Sequence, residues 1–105
     1  MKVLQHRFSL AASGNTLLST VRSTEGTASS TGKSVPEANE WHFTNIGTGT
    51  VVVTPYFNNV TSHGTYTVPA NDSLIIDLGG MNDWKIEETG GAAAAIVTLV
   101  GYLKE

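Results

Sequence analysis

Short runs in which apolar and polar residues alternate fill residues 41–103, and small turns rich in glycine, asparagine and aspartate separate them. Leu74, Ile76 and Leu78 lie at every second position of one run, and Trp84 and Ile86 do so in the next. This is the period of a β-strand with one buried face. The pattern therefore predicts an all-β, antiparallel domain built from short strands.

The best local signal for a turn lies between two β-prone runs, residues 40–46 and 50–57, which Gly47-Thr-Gly49 separates. Two such runs joined by a tight glycine turn predict a hairpin. We interpret residues 41–105 as a β-meander that begins with this hairpin. Pro55 has no N–H for a ladder, so the second strand is expected to end there or to lie at a sheet edge.

Residues 1–21 predict two further strands. Leu4, Phe8 and Leu10 lie on the inner face of the first, and a short strand over residues 16–21 is expected to pair with it. Polar side chains interrupt the first ten residues, so no signal peptide is expected. No run approaches the roughly 20 apolar residues of a membrane span.

Residues 22–40 differ from the rest, because Val35 is their only bulky aliphatic residue. So polar a segment buries little surface, and a connection of this length within a compact domain is either functional or flexible. Two interpretations stay open. The segment is either a mobile surface loop without a partner, or an arm that becomes ordered against a neighbour in an assembly.

The last run, residues 94–103, is apolar on both faces of a strand. One face carries Ile96, Val100 and Tyr102, and the other carries Val97, Leu99 and Leu103. A strand with one solvated face should alternate more strictly. The second face is therefore either covered by the N-terminal segment or in contact with a neighbouring subunit.

Seven to eight short strands in a single domain, residues 1–105, predict an antiparallel β-sandwich, jelly-roll-like or immunoglobulin-like. The N-terminal strands (1–21), the polar loop or arm (22–40) and the meander (41–105) are its three parts. The N-terminal strands are expected to cross to the second sheet or to its edge.

Composition narrows the function. Six Lys and Arg against nine Asp and Glu give a net charge of -3, which does not suit a nucleic-acid-binding face. Cysteine is absent, the three histidines are not at short metal-ligand spacing, and no Gly-x-Ser-x-Gly elbow is present. We therefore expect no catalytic residue, metal or cofactor, and a protein that is not an enzyme.

A sugar site is the alternative that the aromatic residues leave open. Trp41, Tyr56, Tyr66 and Trp84 could stack on sugar rings, or they could pack within the sheets. Tyr56 is the best candidate for exposure, because the Asn58-Asn59 turn follows it. The candidate glycan contacts are Tyr56, Asn58, Asn59 and His63.

A resemblance adds to this interpretation. The runs Thr44-Asn-Ile-Gly-Thr-Gly-Thr-Val-Val-Val, Tyr66-Thr-Val-Pro-Ala-Asn-Asp-Ser-Leu-Ile-Ile-Asp-Leu, Trp84-Lys-Ile-Glu and Val100-Gly-Tyr-Leu resemble small β-sandwich virion proteins of tailed bacteriophages. Capsid decoration (cement) proteins and head or tail fibre modules are the similar types. The resemblance implies a homo-oligomer, expected to be a trimer, on a major capsid or tail protein of a virion assembled in the host cytoplasm.

The leading hypothesis is therefore a non-enzymatic virion structural protein that reinforces a capsid lattice, with neither membrane nor nucleic acid as a partner. The alternative is a carbohydrate-binding or adhesin-type module. If the resemblance holds, the contact elements are the polar arm, the N-terminal strand and the second face of the last strand. The candidate interface residues are Arg22, Lys33, Val35, Ile96, Val100 and Tyr102.

Overall fold

The computed structural model describes residues 1–19, 38–57, 61–62, 64–81, 83–91 and 94–104. They form nine strands: β1 (Lys2–Leu10), β2 (Asn15–Leu17), β3 (Glu40–Asn45), β4 (Val51–Phe57), β5 (Thr61–Ser62), β6 (Tyr66–Val68), β7 (Asp72–Asp77), β8 (Asp83–Glu88) and β9 (Ala95–Tyr102). Every pairing among these strands is antiparallel. The prediction of an all-β, antiparallel fold is confirmed.

The strands form two sheets. Sheet A has the order β1-β9-β3-β7, and sheet B has the order β2-β8-β4, with β5 and β6 on the far side of β4. The pairings are nested: β1 with β9, β2 with β8, β3 with β7, and β4 with β5 and β6. A long two-stranded ribbon rolled up in this way is a jelly roll. The predicted β-sandwich is confirmed, in its jelly-roll form.

The predicted hairpin between β3 and β4 is wrong, because β3 lies in sheet A and β4 in sheet B. Gly47 serves a close approach instead. A Cβ atom there would lie 2.6 Å from the Cα of Ala95, and Gly49 N–H donates to Ala94 O at 3.1 Å. The connection is thus packed against the start of β9, and residues 41–105 roll between two sheets rather than forming a meander.

The prediction that β4 ends at Pro55 or lies at a sheet edge is wrong. Pro55 lies within β4, opposite Trp84 of β8. On the other side of β4, β6 pairs with Val51–Val53 and β5 pairs with Tyr56 and Phe57. Pro55 falls in the gap between these two pairings, where no ladder bond requires its missing N–H.

The N-terminal strands lie at the edges of different sheets. β1 pairs with β9 at the edge of sheet A, and β2 pairs with β8 at the edge of sheet B. The expected pairing of β2 with β1 is therefore wrong. β2 ends at Leu17, and residues 20–21 of the predicted strand lie outside the described residues.

The core lies between the sheets and is centred on aromatic side chains. Trp41 and Trp84 are fully buried, and their rings meet edge to face with centroids 5.7 Å apart. Phe43 contacts Trp84 in the same way at 5.0 Å. Gly101 makes room for this cluster, since a Cβ atom there would lie 3.1 Å from the Trp41 ring. Each of these large side chains contributes about 1.5–3 kcal/mol through burial.

A buried carboxylate fixes one end of the sandwich. Glu88, at the end of β8, accepts hydrogen bonds from the backbone N–H groups of Ser13, Gly90 and Gly91 at 2.8, 2.7 and 2.9 Å. The N–H of Ser13 contributes most to lowering the pKa of Glu88. This carboxylate therefore connects the β1–β2 turn to the connection between β8 and β9.

A buried amide acts similarly in sheet A. Asn45, the last residue of β3, donates through Nδ2 to Gly49 O at 2.8 Å and to Val68 O at 3.1 Å. Its side-chain oxygen accepts from Gly47 N–H at 3.0 Å. The β3–β4 connection is thereby held against the end of β6, so both sheets are fixed relative to one another at this end.

Candidate functional site

The outer face of sheet A lies on the side of the sheet that faces away from the core. Side chains alternate across a sheet, and strand register places outward-facing residues of neighbouring strands side by side. Val100, His42 and Ile75 form one row across β9, β3 and β7. The next row contains Tyr102 and Glu40. The strands thus present a four-stranded surface that faces away from the core.

Five apolar side chains lie on this outer face, among polar residues such as Thr44 and Ser73. Ile75 is 59% exposed, and Ile46, just after β3, is 50% exposed. The outward residues of β9 are half-buried: Ile96, Val100 and Tyr102. We call these five residues the apolar patch. Single exposed apolar residues are ordinary, but several on one sheet face are typical of an interaction site.

Charged groups border the apolar patch along one side. Lys104 Nζ lies 2.9 Å from Asp77 Oδ1 and 3.1 Å from Glu40 Oε1. Glu40 Oε2 is 2.8 Å from His42 Nε2, and the His42 ring lies against Tyr102 with centroids 4.6 Å apart. The border therefore joins three strands and the C-terminal segment at the surface.

The pKa values of this border reflect these contacts. The hydrogen bond with His42, followed by that from Lys104, lowers the pKa of Glu40. The hydrogen bond to Asp77 contributes most to raising the pKa of Lys104, and the hydrogen bond to Glu40 contributes next. Both groups are thus held in their charged forms. Because the groups are close to solvent, these ion pairs contribute little to the stability of the fold.

Half of the predicted interface residues lie on this face. Ile96, Val100 and Tyr102 occupy the outer side of β9, while Val97 and Leu99 are fully buried on its inner side. The idea that the N-terminal segment covers the second face of the last strand is wrong, because β1 pairs beside β9 in the same sheet. The remaining candidates, Arg22, Lys33 and Val35, lie outside the described residues.

Ile75 and the charged border were not predicted from the sequence. Leu74, Ile75 and Ile76 form three apolar residues in succession, so one of them must face away from the core of a one-sided strand. Apolar residues on both faces of a strand are also the pattern of β9. The charged border had no local signal, because Lys104, Glu40 and Asp77 are distant in sequence and only the fold brings them together.

The alternative sugar site has one described member. Tyr56 is half-buried and lines a groove of about 400 Å³ together with Leu17, Ser19 and Asp83. Asp83 accepts hydrogen bonds from Ser19 N–H at 3.0 Å and from Ser19 Oγ at 2.6 Å. Its carboxylate therefore already has structural partners. The other candidates, Asn58, Asn59 and His63, lie outside the described residues.

The other aromatic candidates do not form a stacking platform. Trp41 and Trp84 are fully buried in the core, and Tyr66 contacts the Trp84 ring with centroids 6.5 Å apart. Among the described residues, no group of three histidine or acidic side chains is placed to hold a metal ion. In the same part of the chain, no helix has the length and apolar character needed to cross a membrane.

Comparison with known proteins supports the fold. No protein-family model matches the chain, and no curated protein matches its sequence. The chain is similar in structure to PirA, with a TM-score of 0.59, 10% sequence identity and 93% of each chain covered. At this identity the similarity shows a shared fold alone.

A second solved structure is that of Bacillus endospore appendages, described as disulfide-linked pili, with a TM-score of 0.41 and 17% identity over 99% of this chain and 92% of that chain. The fold and the site together define a jelly-roll β-sandwich with an apolar patch on the outer face of one sheet.

Proposed function

We propose that this protein is a non-enzymatic structural protein, and that copies of it associate through the outer face of sheet A. The observation that carries the proposal is the apolar patch on that face. Ile75 is 59% exposed on β7, on a sheet surface that no described element covers. Burying such a patch against protein is favourable by about 25 cal/mol per Å² of apolar surface.

The charged border fits the same role. The charged groups lie along one side of the patch rather than in its middle, and they are Lys104 and the carboxylates of Glu40 and Asp77. Protein interfaces commonly have an apolar centre and a polar rim. Such a rim sets orientation and excludes wrong partners. The whole surface also belongs to strands of a hydrogen-bonded sheet, so it is rigid before a partner arrives.

The specific form of the proposal is a virion component. By its resemblance to small β-sandwich proteins of tailed phages, the homo-oligomer would decorate a capsid or belong to a head or tail fibre. Several copies, each with a modest interface, would bind a repeating lattice tightly through multivalency. A trimer on a major capsid protein is the expected arrangement. Co-sedimentation of the purified chain with phage capsids is the assay for this specific form.

Sedimentation equilibrium of the purified chain tests the general proposal. The expected wild-type mass is a multiple of 11.1 kDa that rises with concentration. Ile75→Lys should lower that mass, because it places a charge at the most exposed residue of the apolar patch. Thr67→Lys is the matched control, since Thr67 is exposed on the outer face of sheet B. A wild-type chain that sediments at 11.1 kDa at every concentration would contradict the proposal.

A carbohydrate-binding module is the second candidate, and the groove beside Tyr56 favours it. A partly exposed aromatic ring next to hydroxyl and carboxylate groups is a common arrangement for a sugar ring. A glycan array followed by titration tests this candidate. Saturable binding that Tyr56→Ala abolishes would support it, and binding unchanged by that substitution would remove the groove from consideration.

A further inference from the structure

β1 is the longest strand in the described part of the chain, and among the described strands it pairs with β9 alone. One edge of β1 faces β9, and no described strand pairs with its other edge. The strand contains no proline, so each of its residues keeps a backbone N–H. A long strand of this kind at a sheet edge is a template for pairing with another chain.

A hydrogen bond on the far side of β9 shows which backbone groups of β1 point outward. Ile46 N–H donates to Ile96 O at 2.9 Å, so Ile96 directs its backbone groups toward β3. Successive residues of a strand direct these groups to opposite edges. Val97 therefore directs its groups toward β1, where Phe8 is its partner.

Because Phe8 faces β9, its neighbours in β1 direct their backbone groups away from the sheet. The residues that do so are Gln5, Arg7 and Ser9. The β-bulge lies between Lys2 and Leu4, so the alternation is regular from there onward. The side chains of all three outward residues are exposed. Their N–H and C=O groups are thus arranged as one half of an antiparallel ladder.

Space for an added strand lies next to this edge. A groove of about 260 Å³ runs along residues 6–11 of β1 and its turn and along residues 14–16, which lead into β2. It separates the edge strand of sheet A from the edge strand of sheet B. In a β1 strand added from a second copy, Gln5, Arg7 and Ser9 would extend the outer face of sheet A, while Leu4 and Phe8 would stay in that copy's own core.

We propose that the edge of β1 pairs antiparallel with the same edge of a second copy, about a two-fold axis. Charge disfavours one register. Pairing Arg7 with Arg7 would place two guanidinium groups opposite one another, which is unfavourable. Pairing Gln5 with Arg7 on both sides of the axis lets the amide oxygen accept from the guanidinium. The two residue pairs exchange about four backbone hydrogen bonds.

One neighbouring register is less suitable. Pairing Gln5 with Gln5 would bring Arg7 opposite Val3, at the bulge where the ladder is irregular. In the proposed register, the two His6 residues lie opposite each other at the axis and exchange no backbone hydrogen bonds with one another. The two copies of sheet A then form one continuous sheet of eight strands, and their outer faces lie side by side.

This edge contact rests on the proposed function only in that both require copies to associate. Sedimentation distinguishes the edge contact from the outer-face contact. Ile75→Lys disables the outer face, so that variant should sediment at twice 11.1 kDa. Adding Arg7→Pro removes an N–H that points away from β9, and the double variant should sediment as a monomer. Ser73→Pro in place of Arg7→Pro is the matched control, because Ser73 N–H is bonded to the side chain of its neighbour Asp72.

Each outcome has one meaning for the edge contact. If Ile75→Lys is monomeric while the wild type is oligomeric, the edge proposal is overturned and the proposed function is supported. If Arg7→Pro alone is monomeric, the edge contact is supported and the outer face is not the interface. If the wild type is monomeric, both are overturned. Circular dichroism and thermal unfolding confirm that each variant keeps the fold.

Cross-linking reads the register directly, because the chain has no cysteine. His6→Cys places two thiols at the axis, where Cα atoms are about 4.5 Å apart, within the range for a disulfide. Ser9→Cys is the control, since its two copies would lie roughly 20 Å apart. We expect a disulfide-linked dimer from His6→Cys alone. Equal dimer yields from both variants, or none from either, would overturn the register.

Discussion

The two faces of β9 have similar side chains and different environments. Val97 and Leu99 on the inner face are fully buried against the aromatic core. Val100 and Tyr102 on the outer face are half-buried, and β1 and β3 flank them within the same sheet. Apolar character alone therefore does not report burial within the chain. On one face it reports the core, and on the other we propose that it reports assembly.

The largest expected effect comes from a change on the inner face. Leu99→Ala removes buried methyl groups and leaves a cavity, so the free energy of unfolding should fall by about 2–5 kcal/mol. Val100→Ala is the matched change on the outer face and should cost about 0.5 kcal/mol or less in dilute solution. Urea denaturation of both variants checks this. Equal losses would mean that the two faces of β9 are equally packed within one subunit.

The next effect is expected at the connection that crosses between the sheets. In Gly47→Ala the added Cβ would lie 2.6 Å from the Cα of Ala95. The backbone must move, at a cost of about 1–3 kcal/mol. Gly79→Ala is the control, because its Cβ would meet only the Asn39 side chain, at 3.5 Å. Thermal unfolding measures both, and a Gly47→Ala variant as stable as the control would contradict the close approach.

A smaller effect is expected at Glu88 and depends on pH. Its pKa is below the ordinary value of 4.5 in the folded protein, because backbone N–H groups stabilise the carboxylate. The group therefore stabilises the fold above the unfolded-state pKa, and this contribution is lost as the pH falls through the folded-state pKa. Glu88→Gln should be less stable than wild type at pH 7, with a difference that shrinks in acid.

The measurement for Glu88 is the urea midpoint between pH 7 and pH 3. Glu87→Gln is the control, since Glu87 is half-buried at the neighbouring position and its charged contact is Lys85 at 3.7 Å. That variant should follow the wild-type pH profile closely. If Glu88→Gln also followed it, the three backbone hydrogen bonds would not depend on the charge of the carboxylate.

The smallest effect on stability is expected on the outer face. Ile75→Lys should change the free energy of unfolding by no more than about 0.5 kcal/mol in dilute solution, because Ile75 is 59% exposed. Its consequence should appear in association instead. A loss of several kcal/mol in a monomeric sample would show that Ile75 packs within its own subunit.

The strands could be predicted from the sequence because alternation is a local signal. Trp84 and Ile86 fall on the buried face of β8, and Ile96 and Val100 share the outer face of β9, as their spacing predicts. The choice of partner strand could not be predicted. A glycine at position 47 fits a hairpin turn and a connection between sheets equally well, and only the close approach of Gly47 to Ala95 distinguishes the two.

The site divides in the same way. The outward residues of β9 were predicted from an apolar run that a single covered face does not explain. The border of Lys104, Glu40 and Asp77 was not, because residues 64 positions apart have no mutual signal in the sequence. Ile75 could be predicted only in part. The run of three apolar residues indicates that one of them faces outward, but Leu74 and Ile76 alone already fit the spacing of a strand with one buried face.

The central claim is that the outer face of sheet A is covered by another copy of the chain. Methyl NMR with a soluble paramagnetic agent, recorded on dilute and on concentrated samples, tests it most directly. The Ile75 and Val100 methyl signals should broaden in the dilute sample and be protected in the concentrated one, while Val97 stays protected in both. Equal broadening of Ile75 and Val100 at both concentrations would contradict the claim.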